Sequence, residues 1–165
     1  MATRGKGTVS RTGYRRILWP TDFSPLAKAA LPHAVRLADA HGAELVVLHV
    51  LPSAAYYALP GMTGGALAQL QRENRGVGQA ELRRVADRVK GSAPRLRVRS
   101  VLVEGAPADQ IVRAARSLKC DLIVVATHGR TGMARAVMGS VAENVVRLAP
   151  CPVLTVRPPR FGARA

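Results

Sequence analysis

Two stretches, "AELVVLHVL" (43–51) and "DLIVVAT" (121–127), constrain the fold more than anything else in the chain. Each is an apolar run with little alternation, so both faces of such a strand have to be covered, as in a parallel sheet with helices on either side. "RRILWPT" (15–21), "RLRVRSVLV" (95–103) and "PVLTVR" (152–157) read as three further strands. The segments between them carry helical spacing. Ser24 suits a helix cap and Pro25 the first helical position. Leu31, Ala34, Val35 and Ala38 then form an apolar stripe that Gly42 ends. Pro32 lies inside this segment and predicts a kink, because it has no N–H for the carbonyl of Lys28. A basic helix is predicted over 66–90, with Leu82, Val85 and Val89 inward and Gly76 and Gly78 weakening its first half. Two more helices are predicted over 107–118 (Ile111, Ala115 and Leu118 inward) and 140–149, the last stopped by Pro150.

Strands separated by helices pair in parallel through right-handed crossovers. The expected fold is α/β: a single doubly wound sheet of five parallel strands with helices on both faces, in the assumed order 3-2-1-4-5. Residues 14–157 form the domain, flanked by a disordered basic tail over 1–13 and a basic tail over 158–165.

The net charge of +15 is unevenly spread. Arg4, Lys6, Arg11, Arg15 and Arg16 stand in a stretch without an acid; Arg157, Arg160 and Arg164 close the chain; a third concentration lies in 72–99. Weak, non-specific nucleic-acid binding by the tails is one expectation from this pattern, and solvated termini the other. No apolar run reaches the ~18 residues of a membrane span, and the amino-terminal stretch lacks the apolar core of a secretory leader, so the expected location is cytoplasmic and off the membrane. Cys120 and Cys151 are expected as reduced, partly buried thiols, with a redox link as the alternative should their strands be neighbours.

Ligands of open parallel sheets sit at the carboxyl ends of the strands, where the strand order reverses. Two such ends are unusual here: "PTD" (20–22) and "THGR" (127–130), the latter leading through a glycine-containing loop to a helix start at Gly139–Ser140. Gly129 and Gly132 allow close backbone approach. The amides of Gly139, Ser140 and Val141 offer unpaired N–H groups and a helix dipole to an anion, with Arg130 and Arg135 adding charge. Asp22 on the other side suits a ribose or adenine, and a nucleotide is the economical single ligand. Plainer roles remain open at each position: a turn for the glycines, a cap for Ser140, an Asx turn for Asp22 and solvation for the arginines. His33 and His41 read as surface, His49 as a core histidine and His128 as a brace for the loop; no metal-ligand spacing joins them. Trp19, the sole tryptophan, is expected beside the pocket. No P-loop, G-x-G-x-x-G, G-x-S-x-G or H-E-x-x-H motif is present, which argues against an efficient hydrolase.

Taken together, "ILWPTDFSPLAKAALPHAVRLADAHGAELVVLHV" and "ATHGRTGMARAVMGSVAENVVRLAPCPVLTV" resemble the universal stress protein family over about residues 14–157. Its nucleotide-binding branch carries G-x2-G-x9-G-[ST]. Here Gly129, Gly139 and Ser140 match that pattern and Ala126 replaces the first glycine. The resemblance implies that Pro20, Thr21 and Asp22 line an adenosine pocket and that the main chain of Val50 meets the adenine. It further implies that Ala126, Thr127, His128, Gly129, Arg130 and Gly132 wrap ribose and phosphates, while Gly139, Ser140, Val141 and Ala142 hold the phosphates. Val153, Leu154, Thr155 and Val156 would pair across a dimer axis. The implied protein is a homodimeric, stress-related regulator with an unnamed protein partner. It binds ATP or another adenine nucleotide, with or without Mg2+, and hydrolyses it slowly at most. The alternative is an interaction module of the same fold that lacks nucleotide.

Overall fold

The computed structural model describes residues 13–53, 63–127 and 138–157. Five strands, β1 (Arg16–Pro20), β2 (Glu44–Leu51), β3 (Arg97–Glu104), β4 (Leu122–Ala126) and β5 (Val153–Val156), form one sheet in the order β3-β2-β1-β4-β5. Every neighbouring pair is parallel, with Leu18 in register with Val46 on one side and Ile123 on the other. The expected fold class and strand order are thus both observed.

Side-chain alternation splits the core into two layers. Ile17, Trp19, Leu45 and Val47 point to one face and pack against Ala34 and Ala38 of one helix and Leu82, Val85 and Val89 of another. Leu18, Val46, Leu48 and Ile123 point to the other face, against Ile111, Ala115, Ala142 and Val145. Both faces are covered, which is why the central strands are apolar throughout.

The first helical segment divides into α1 (Pro25–Lys28) and α2 (Leu31–His41). Ser24 caps α1 by accepting from the Ala27 amide at 3.1 Å. The bend predicted from Pro32 is a full break: Pro32 falls in the first turn of α2, where a missing N–H costs no hydrogen bond. The chain crosses the gap on tighter bonds, Ala29 N–H to Leu26 and Ala30 N–H to Ala27. Gly42 closes α2 in the left-handed conformation, φ 61°.

Helix α3 (Gly64–Ser92) outruns the predicted 66–90 at both ends, and the Thr63 side chain caps its start. Gly78 has a packing reason: a Cβ there would lie 3.2 Å from both His49 and Leu102, so its absence lets α3 sit close on β2 and β3. Helices α4 (Pro107–Ser117) and α5 (Ser140–Leu148) cover the second face. No helix among the described residues is long and apolar enough to cross a membrane.

Candidate functional site

The strand order reverses at β1, so the carboxyl ends of β1 and β4 flank a crevice, and each of its walls is built differently. On the β1 side the chain turns through Thr21, Asp22, Phe23 and Ser24. Thr21, only 6% exposed, donates its amide to Leu48 O at 2.9 Å and accepts from the Phe23 amide through Oγ1 at 3.0 Å. Asp22 Oδ1 accepts from the Ser24 amide at 3.0 Å. These bonds hold Phe23 at φ 61°, a left-handed conformation that costs a non-glycine residue about 1–2 kcal/mol. His49 Nδ1 lies 2.7 Å from the Thr21 carbonyl; a carbonyl only accepts, so Nδ1 carries the proton. The Phe23 and His49 rings stack with centroids 4.4 Å apart. The turn is fixed from behind before any ligand arrives.

On the other side Thr127 follows β4, its amide bonded to Val156 O at 2.9 Å. The Gly139 amide donates to Thr127 O at 2.8 Å, which ties the start of α5 to the end of β4. That contact corrects the expectation for Gly139, whose N–H is engaged within the protein and not offered to an anion. The amides of Ser140, Val141 and Ala142 lie in the first turn of α5, where no intrahelical acceptor exists. Gly139 is extended (φ −63°, ψ 145°), a conformation any residue can adopt.

Between the walls lies a cavity of about 260 Å³. Pro20, Thr21, Asp22, Val50, Ala126, Thr127, Gly139, Ser140, Val141 and Ala142 all line it, so the structure brings these expected residues to one place. His128, Gly129, Arg130, Gly132 and Arg135 lie outside the described residues.

Ala27, Leu48, Pro107, Ile111 and Val125 complete the lining and were not anticipated. Leu48 was readable, being two residues before Val50 and therefore on the same face. Pro107 and Ile111, one helical turn apart on α4, become lining residues through topology alone. Trp19 is a correction. It is fully buried in the opposite core layer, among the α2 and α3 side chains, and does not line the cavity. Its indole N–H has no hydrogen-bond partner.

Asp22 is the one carboxylate on the cavity wall among the described residues. Among the described residues no group of three or more His, Cys, Asp or Glu side chains converges as a metal site. Cys120 and Cys151 are free thiols packed in the same core layer. Burial pushes the Cys120 thiol up to about 12 and raises Cys151 in the same direction. Such thiols stay protonated and poorly reactive near neutral pH. At the far side β5 pairs, among the described residues, only with β4, which leaves its outer edge unpaired within them; Leu154 is 38% exposed there, and Val146 and Leu148 of the adjoining α5 are exposed too.

A parallel five-stranded sheet with a crevice at the reversal of strand order places the chain among the doubly wound α/β proteins. A model of the Universal stress protein family matches residues 13–157, and the chain belongs to that family. Universal stress protein MJ0531 of Methanocaldococcus jannaschii is 35% identical over 148 residues, 89% of this chain and 84% of the relative. Among solved structures, universal stress protein UspA from Lactobacillus plantarum superposes with a TM-score of 0.78 at 29% identity, covering 88% of this chain and 99% of that one. A universal stress protein in complex with cAMP superposes with a TM-score of 0.63 at 28% identity, covering 88% and 98%.

Proposed function

We propose that this chain is an adenine-nucleotide-binding universal stress protein, with ATP as the leading ligand. Its phosphates meet the open amides of Ser140, Val141 and Ala142. Asp22 and the main chain of Val50 hold the adenosine across the crevice, and the loop from Ala126 through Thr127, His128, Gly129, Arg130 and Gly132 wraps the ribose and phosphates. The observation that carries this reading is the pairing of an unsatisfied helix start with a rigid carboxylate-bearing turn on opposite walls of one apolar cavity. The cAMP complex of a 28% identical relative supports the ligand class. A magnesium ion arriving with ATP would take most of its ligands from phosphate and water, since Asp22 is the one carboxylate on the cavity wall among the described residues.

The protein then works as a regulator that changes its surface on binding nucleotide, with slow ATP turnover. It assembles as a homodimer through Val153, Leu154, Thr155 and Val156, whose open edge and exposed apolar neighbours favour pairing with a second copy. Residues 14–157 form the working domain, in the cytoplasm, and the two basic tails are accessory. Ala126, where the nucleotide-binding pattern has glycine, favours a second reading: an interaction module without nucleotide.

Mass spectrometry of the purified, denatured protein separates the two readings, together with calorimetric titration of ATP, AMP and cAMP. Co-purified adenine nucleotide or a saturable heat supports binding. A protein free of nucleotide with flat titrations for all three contradicts it. Trp19 faces away from the crevice, so its fluorescence does not report on the pocket.

A further inference from the structure

The surface formed by α3 and the segment leading into β3 carries more cations than the acids around it match. Arg75 pairs with Glu104, Arg84 with Glu81, and Arg97 donates to the Gly42 carbonyl. Arg72, Arg83, Arg88, Lys90 and Arg95 are all exposed, and their side chains have no ion pair or hydrogen bond among the described residues; Arg99, in register with Val46, belongs to the opposite face of the sheet. The exposed acids on the same elements are Glu73, which accepts from Gln69, and Asp87. Arg72, Arg83 and Lys90 are separated by 11 and 7 residues, so they return to within about 20° of one line along α3 and span about 27 Å of its axis. That length equals about eight base pairs of duplex.

We propose that this surface binds the phosphodiester backbone of double-stranded nucleic acid without reading its sequence. The cations are nearly all arginine, whose planar guanidinium matches phosphate. No aromatic residue occurs between Thr63 and Glu104, so there is no platform on which unpaired bases could stack, and a duplex is the better fit. Val77, 65% exposed, is the one large apolar side chain that α3 leaves exposed, which is too little to anchor a protein partner. The apolar stripe of α3, Leu82, Val85 and Val89, is buried in the core and cannot enter a lipid surface. β3 is the sheet edge opposite β5, so pairing through β5 leaves this surface uncovered on both copies. The inference stands apart from the nucleotide reading, and it moves the seat of polyanion binding from the tails to the folded domain.

Fluorescence anisotropy tests it on the full chain, with two unrelated labelled duplexes of about 20 base pairs at roughly 50 to 200 mM salt. One variant combines Arg72→Gln, Arg83→Gln and Lys90→Gln. A second combines Arg4→Gln, Lys6→Gln, Arg11→Gln, Arg160→Gln and Arg164→Gln in the tails. All three positions of the first variant are solvent-facing, and circular dichroism checks that it folds. The expected result is equal affinity for the two duplexes, with the first variant at least about tenfold weaker and its salt slope shallower by about 2 to 3. A loss in the tail variant as large as in the first variant overturns the proposal. So does tighter binding to polyglutamate, or to vesicles containing phosphatidylserine, than to duplex at the same salt.

Discussion

The two ends of the sheet are both rich in polar groups, yet only one is built to receive a ligand. At the amino end the Asp121 carboxylate accepts from the amides of Arg15 at 2.9 Å and Arg16 at 3.0 Å. The Arg16 guanidinium pairs with Glu44 at 2.6 Å and also donates to the Leu118 carbonyl. The backbones of Asp121 and Glu44 bond back to Arg16 and Arg15. A hollow of about 270 Å³ between Tyr14, Arg15, His41 and Arg97 lies at this end, but it faces Gly42 and the carbonyl end of α2, whose dipole disfavours anions. At the carboxyl end the strand termini are equally well tied, while three amides at the start of α5 have no acceptor among the described residues and lie at a cavity. The density of charge does not mark the site; the groups left unsatisfied do. Substitutions at the amino end are therefore expected to move stability and spare binding, and those at the carboxyl end to do the reverse.

The largest effect is expected from Gly139→Val. Its backbone conformation accepts valine, so the chain still folds with a loss of about 1 kcal/mol at most from the poorer helix cap, while the side chain is added at the cavity wall. Calorimetry should find adenine-nucleotide affinity at least about 100-fold weaker, about 2.8 kcal/mol. Next comes Asp121→Ala, which strands two backbone amides: denaturant unfolding should show a loss of about 2 kcal/mol with nucleotide affinity unchanged. A large affinity loss there would erase the distinction between the two ends. Asp22→Ala should do some of each, weakening binding about tenfold and costing about 1 kcal/mol through the lost bond to the Ser24 amide.

The smallest effect is read in pH. Cys120 sits just before β4 at the amino end, with its thiol raised from 9.0 to about 12. Above pH 9 the unfolded chain releases this proton and the folded chain keeps it, so stability falls as pH rises toward 12. The fall is about 1 kcal/mol between pH 9 and 10. Urea unfolding at the two pH values measures it, and Cys120→Ala should flatten the difference while leaving nucleotide affinity alone.

Much of this was legible in the residues themselves. The unalternating strands at 43–51 and 121–127 carry the parallel sheet, and the Ser24–Pro25 and Gly42 signals place the ends of α1 and α2. The crevice edges were readable as the two strand ends with unusual chemistry. The expectation for Trp19 fails on strand parity, which turns the side chain next to Pro20 to the opposite face. Pro107 and Ile111 enter the lining because the crossover after β3 lays α4 on that face, a consequence of topology that no local pattern encodes. The engaged Gly139 amide likewise depends on a contact with Thr127, distant in sequence.

Amide-resolved NMR during a titration with ATP measures the central claim most directly. The Ser140, Val141 and Ala142 amides should show the largest shifts, saturating together with the Asp22 resonance, while Arg15, Arg16 and Asp121 stay still. Shifts concentrated at the amino end, with the three α5 amides unmoved at saturating ATP, would contradict the proposed binding mode.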